Sequence, residues 1–439
     1  MILLYKTVAF SMQSAFDVLE GRFVNPQTGL LLNYAGMDGS VLLPTQEECC
    51  LGMPNHMSWN CPLEDGAYYG GLYLDALVNR AVLLDCEKAA AAAARTAKGL
   101  LSLLVNGADS GFIARGYVLP NKAHYSVGSN DQTFPWFYGL WRYTRSPLCS
   151  ADEKKTLVSS MEAVGKALWR LNFKIPSDHP SMGDRGDYML PNPADVSKLL
   201  FITRALFDLT EDPFWFTQYE TFLHTCPPGS QDTRLTLISR GAGFAPYDGE
   251  SVFYCLADGQ AMEDVFGERR SITTVQLFTR AMVDIALRGL CDMLQDTPER
   301  ELYRCALRMD ALALISHIQR HKGFSLFKAP DFSGNWRVMN KLWHPHYTVA
   351  ETVPIAWAQM PIWFRECPRF PYENAFVREP LYAGYVATLA GIDMLPGMDH
   401  SITELLLSIP WDKLYTSTFY AALTVHGQWL ANRLTQFNK

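Results

Sequence analysis

Residues Arg115 to Arg142, RGYVLPNKAHYSVGSNDQTFPWFYGLWR, decide how the chain folds. A loop carrying Arg115, His124, Tyr125 and Asn130 runs into an almost purely apolar helix pattern. Ser129 or Asn130 can cap that helix, because a side-chain oxygen accepts from the unpaired N–H groups of a first turn. Phe134, Phe137, Tyr138 and Trp141 then recur at three- and four-residue spacing, as in a helix surrounded by other helices. Asp131, the lone carboxylate of the stretch, stands at the helix start. A helix of this kind presents its N-terminus to a polar pocket.

The same arrangement repeats outward in both directions. Apolar helix patterns begin near Asp65, Asp131, Asn192, Ser271, Ala350 and Ser417. Each follows a long polar and aromatic loop, and amphipathic patterns such as Ala151 to Leu171 and Pro298 to Arg320 alternate with them. Starts about 60–80 residues apart are a helical-hairpin repeat. Helices apolar all round belong inside and amphipathic ones outside. The expectation is an all-α fold, a single domain over residues 1–439, built as an (α/α)6 toroid: six inner helices, six outer ones, and all long loops at one mouth. Those loops have room for short hairpins.

Bulk properties exclude several classes. The chain has 439 residues, 48% hydrophobic and 13% aromatic, which describes a folded protein with a large core. Its net charge of −7 and the lack of a basic run argue against a nucleic-acid partner. No stretch approaches a membrane span. The ten cysteines show no metal-ligand spacing, so neither a metal nor a cofactor is expected. The beginning, MILLYKTVAFSMQSAF, lacks the form of a signal peptide. A cytoplasmic location is therefore expected, with a periplasmic or secreted one open if a signal has been trimmed.

Two segments at inner-helix starts carry a resemblance. Trp59 to Gly66 reads W-x-x-x-x-E-D-G, and Ser129 to Trp136 reads SNDQTFPW. With the alternating helix pattern they resemble the six-hairpin glycosidase superfamily, which includes unsaturated glucuronyl hydrolases and, more distantly, toroidal polysaccharide lyases. The architectural likeness spans the chain, whereas the residue likeness is confined to these segments. It implies a glycoside hydrolase acting on an oligosaccharide that can contain uronic acid, with paired Asp residues at helix starts as acid and base.

The carboxyls placed at the mouth are Asp65, Asp131, Asp184, Asp187, Asp248, Glu250 and Glu351. Glycoside hydrolysis needs two such groups flanking the bond. Asp131 is the expected general acid or base, with Asp65 or Asp187 as partner. Capping and turn formation are the competing explanations for each Asp. Arg115, His124, Tyr125, Asn130, Trp136, Trp343, His344, His346 and Glu351 are the expected sugar contacts, the Arg through a carboxylate and the aromatics by stacking.

Three alternatives stay open. A lyase would use Arg115, His124, Tyr125 and Asn130 to neutralise a uronate, remove its proton and protonate the leaving oxygen. A sugar epimerase would depend on His344 or His346. A non-catalytic glycan-binding toroid would use the aromatics alone.

Overall fold

The computed structural model describes residues 2–244, 246, 277–391 and 397–437, and most of them are helical. The helices are α1 (Ile2–Val18), α2 (Gln46–Leu51), α3 (Gly66–Leu84), α4 (Glu87–Ser102), α5 (Asn130–Thr144), α6 (Ala151–Arg170), α7 (Pro193–Thr210), α8 (Pro213–His224) and α9 (Arg234–Ile238). They continue as α10 (Leu277–Arg280), α11 (Met282–Met293), α12 (Pro298–Ile318), α13 (Val349–Glu366), α14 (Arg369–Glu373), α15 (Glu379–Ala390), α16 (Met398–Ser408) and α17 (Tyr420–Phe437). Two short antiparallel hairpins sit in the long loops: β1 (Tyr117–Val118) with β2 (Ala123–His124), and β3 (Lys174–Pro176) with β4 (Asp184–Asp187).

Helices α3, α5, α7, α11 and α15 are buried along most of their length, as is the first half of α17. Helix α3 packs against α5 and α17, α7 against α5 and α11, and α15 against α11 and α17. The amphipathic helices α4, α8 and α12 lie against the buried helices that precede them, and α1 lies against α17. Close approach requires small residues. A Cβ on Gly71 would overlap the backbone of Pro135, and one on Gly139 would overlap Gly71, so the α3–α5 contact is backbone on backbone. Among the described residues, no helix is long and apolar enough to cross a membrane.

One expected inner helix is elsewhere. The pattern starting near Ala350 becomes α13, which keeps Ala350, Glu351, Pro354 and Ala358 exposed on one side. It packs on the 3-10 turn Trp336–Leu342, with Trp363 beside Tyr34 and Phe370 in a separate aromatic cluster. A helix with a solvent stripe belongs at a surface, and the spacing of its Trp and Met residues concealed that stripe. Helix α15, buried from Glu379 to Leu389, packs against α11 and α17 instead.

One set of buried polar groups ties the helices together. Asp75 of α3 is wholly buried and accepts from Arg142 Nε of α5 at 2.6 Å and from Tyr138 and Tyr385 hydroxyls at 3.4 Å. Arg142 also donates to Asn79 at 2.9 Å. This ties three buried helices together. Removing one partner strands the other's charge in a low-dielectric interior, so Asp75→Ala should lower unfolding free energy by about 3–5 kcal/mol. Denaturant melts would show it as a lower midpoint, and an unchanged midpoint would mean water reaches Arg142.

Candidate functional site

The starts of α3 and α5 lie side by side because Gln132 bridges them. Its Oε1 accepts from Tyr68 N at 3.0 Å and its Nε2 donates to Asp65 Oδ1 at 2.8 Å. Asn33 completes the cradle, donating to Asp65 Oδ2 at 2.8 Å and accepting from Asp65 N at 3.0 Å. Asp65 occupies the cap position of α3 yet makes no side-chain cap bond. Asp131 does not cap its helix either, since Ser129 Oγ accepts from Asp131 N at 3.3 Å. Capping accounts for neither carboxyl.

Arg115, only 2% exposed, lies between them. Its guanidinium donates to Val127 O at 3.3 Å and Glu64 O at 3.4 Å, and stands 3.9 Å from Asp131 Oδ1. The Asp131 side chain is 30% exposed, while Oδ1 itself is buried without a hydrogen-bond partner. Asp65 is buried and Glu64 half-buried. Burial raises the Asp65 carboxyl, with the like charge of Asp131 adding and Arg115 opposing. Burial, with Asp65 close by, raises Glu64 well above the usual range, again against Arg115. Glu64 Oε2 accepts from Asn60 N at 2.6 Å. Two acids held towards the neutral form and one more open carboxylate thus share a buried cation.

A second layer comes from the next hairpin. Gly186 of β4 packs on Asn130, whose Nδ2 donates to Asp195 Oδ1 at 2.9 Å and whose carbonyl accepts from Tyr188 at 2.9 Å. Asn192, the cap of α7, donates to the other Asp195 oxygen at 2.8 Å. Arg185 of β4 is half-buried, with its Nε on Met57 Sδ at 3.3 Å. Burial lowers its pKa, with the field of Asp131 opposing and that of Arg115 adding. Lys198 of α7 is 3% exposed, and burial lowers its pKa against the pull of Asp195 and Asp131.

Several expected contacts are engaged elsewhere. Asp187 Oδ1 accepts from Met189 N at 2.8 Å, forming a turn, and Asp184 is exposed. Trp136 is completely buried with Nε1 on Leu100 O at 2.8 Å, so it cannot stack on a sugar. Tyr125 donates to Met53 O at 2.7 Å inside an apolar cluster. His124 Nε2 lies 3.4 Å from Asp178 Oδ2, which raises its pKa despite burial. Glu351 closes the capping box of α13 with Thr348. His344 is exposed, and Trp343 is half-buried where the Trp336–Leu342 turn ends. His346 is buried with its ring 4.7 Å from that of His56, which burial pushes down to about 4. Asp248 and Glu250 lie outside the described residues.

The sequence reading missed Glu64, Arg185 and Lys198 as candidates. Lys198 left a signal, a lone cation in the apolar run VSKLLFI. Arg185 was hidden between two aspartates that read as turn formers, and Glu64 was overshadowed by its neighbour. Among the described residues, no three His, Cys, Asp or Glu side chains group as metal ligands.

Arg115 favours the ionised forms of Glu64 and Asp65 in the folded state only. Replacing it with Met raises both folded pKa values further above their unfolded ones, so the variant loses stability as pH rises through that window. Urea melts of Arg115→Met against the parent should show a larger deficit at pH 7.5 than at pH 4.5. A deficit independent of pH would mean that Arg115 acts through its backbone contacts alone.

Comparison with models of known protein families and with curated proteins returns no match for this chain.

Proposed function

We propose that the chain is an (α/α)6 toroid acting as a glycoside hydrolase on an oligosaccharide, with Asp65 as general acid and Asp131 as base or nucleophile. The toroid is supported by the neighbour order of the buried helices, α3–α5–α7–α11–α15–α17, which returns to α3. Outer partners lie in α4, α6, α8, α12, α16 and α1. In such a ring the starts of α3 and α5 face one mouth.

The observation that carries the hydrolase reading is the pair of carboxyls at these two starts. Neither caps its helix, and their surroundings differ. Asp65 is raised in pKa by burial, against the amides of Asn33 and Gln132 on its two oxygens, while Asp131 is part-exposed, with its buried Oδ1 turned towards Arg115. A buried carboxyl retains a proton to give to a leaving oxygen. A more open carboxylate beside a guanidinium can activate water or attack the sugar. Arg115 holds the two in register through the Glu64 carbonyl next to Asp65. The lyase reading draws less support, because His124 is held by Asp178 and Tyr125 by Met53. The epimerase reading would need His346, which is buried against His56.

The test is a panel of aryl glycosides and acidic oligosaccharides, read both for new reducing ends and for the ultraviolet absorbance of an unsaturated uronate. Hydrolysis by the parent protein, reduced roughly 10²–10⁴-fold in Asp131→Asn and in Asp65→Asn, is expected. Activity unaffected by Asp131→Asn, or products that carry the unsaturated chromophore, would overturn the reading.

A further inference from the structure

His56 and His346 meet in the interior from distant parts of the chain. Their rings stand 4.7 Å apart, edge to face, and the two residues are only 6% and 2% exposed. His56 Nε2 donates to the His346 carbonyl at 3.2 Å, and His346 Nδ1 donates to the His344 carbonyl at 2.7 Å. A carbonyl only accepts, so each of these nitrogens carries the hydrogen of a neutral imidazole. The other two nitrogens, His56 Nδ1 and His346 Nε2, are buried without a hydrogen-bond partner among the described residues. A proton added to either would create a buried N–H with nothing to accept it, against a second imidazole. The contact as built admits neutral rings only. Among the described residues, no third metal-ligating side chain groups with them.

The pair fastens α13 and the loop leading to it onto residues 52–63, the stretch that runs into Glu64 and Asp65. Other contacts across this seam are uncharged. Asn55 Nδ2 donates to Gln359 Oε1 at 2.8 Å, Gln359 Nε2 donates to Pro54 O at 2.8 Å, and Trp59 meets Trp357 edge-on at 5.2 Å. The His56 carbonyl accepts from Val127 N at 3.2 Å, and Val127 O is one of the two carbonyls that hold Arg115. The histidine pair thus reaches the buried guanidinium through a single residue. On the other side, a Cβ on Gly52 would overlap the His56 ring, so the imidazole is packed tightly on the end of α2.

Few charges face the pair. The exposed His344 ring lies 6.2 Å from that of His346 and opposes its protonation. Glu351 at the start of α13 favours it, but that carboxylate is engaged in its capping box. Glu48 of α2 is paired with Arg337 of the 3-10 turn, and Arg185 of β4 touches Met57 beside His56. Burial outweighs these fields and lowers both imidazoles, His56 to about 4.

We propose that the His56–His346 contact is an acid-sensitive fastening: protonation of either ring parts α13 and its leading loop from residues 52–63 and loosens the loop that holds Arg115. This concerns how the site is assembled, whichever reaction it performs. Because both imidazoles sit below the ordinary His value, their contribution is complete above about pH 6.5 and is lost as pH falls towards about 4.

The test is hydrogen exchange of the full chain at pH 7 and pH 5, read by mass spectrometry and corrected for the intrinsic pH dependence of exchange. In the parent, peptides covering 52–63 and 343–366 should lose protection on the order of 20-fold, the factor that a shift from about 6.5 to about 4 implies. Peptides around Gly71 and Gly139, where α3 and α5 touch, should keep theirs. His56→Gln and His346→Gln retain a donor for the carbonyl but cannot take a proton. Each should shrink the acid response, His56→Gln by at least about fivefold, while His344→Gln leaves it nearly intact. Equal protection of both segments at the two pH values in the parent would overturn the proposal, whether or not the variants fold. So would an undiminished response in His56→Gln. Activity enters neither readout, so a lack of hydrolysis would count against the hydrolase reading alone.

Discussion

A single buried guanidinium sets the terms for everything at the site. Arg115 donates to the carbonyls of Glu64 and Val127 and stands in ion-pair range, 3.9 Å, of one oxygen of Asp131 without a hydrogen bond to it. Those groups come from three separate segments. The loop before α3, the loop before α5 and α5 itself therefore reach one arrangement together or not at all. The same charge limits how far the buried acids Glu64 and Asp65 drift from ionisation. Geometry and proton affinity here depend on one interaction.

Helix packing supplies the precision this requires. The Gly71–Gly139 contact brings α3 and α5 together backbone on backbone. Gln132 then ties the two starts through the Tyr68 amide and the Asp65 carboxyl. Deeper in the helix assembly, Asp75 and Arg142 brace the same pair of helices against α15. Rigid elements with polar partners fixing their side chains are what the proposed acid–base chemistry needs.

Much of this was legible in the sequence, for identifiable reasons. Helix period and capping chemistry are local, so SNDQTFPW announced a buried helix from Asp131 capped by Ser129 or Asn130, and NPAD announced α7. Asp131 beside a better cap residue was likewise a local signal. Long-range partnership left none. Tyr125 looked like a site tyrosine because nothing in the chain shows that Met53 O accepts its proton. Trp136 looked like a sugar platform until packing buried it against Leu100. Helix α13 looked like an inner helix because its period resembles theirs; only the exposed stripe at Ala350, Glu351, Pro354 and Ala358 separates it from α15. Lys198 stands as a polar residue in an apolar run, but its burial on α7 is a property of the folded chain.

In the proposed division of roles, burial raises Asp65 above an ordinary aspartate so that it can serve as the acid. Infrared difference titration of the carboxyl C=O band reads this directly in the resting protein, with Asp65→Asn as the assignment. A protonated-carboxyl band that persists above the usual Asp and Glu range and loses intensity in Asp65→Asn is the expected result. Parent and variant bands that superimpose at every pH above that range would show Asp65 to be an ordinary carboxylate, and the division of roles between Asp65 and Asp131 would be wrong.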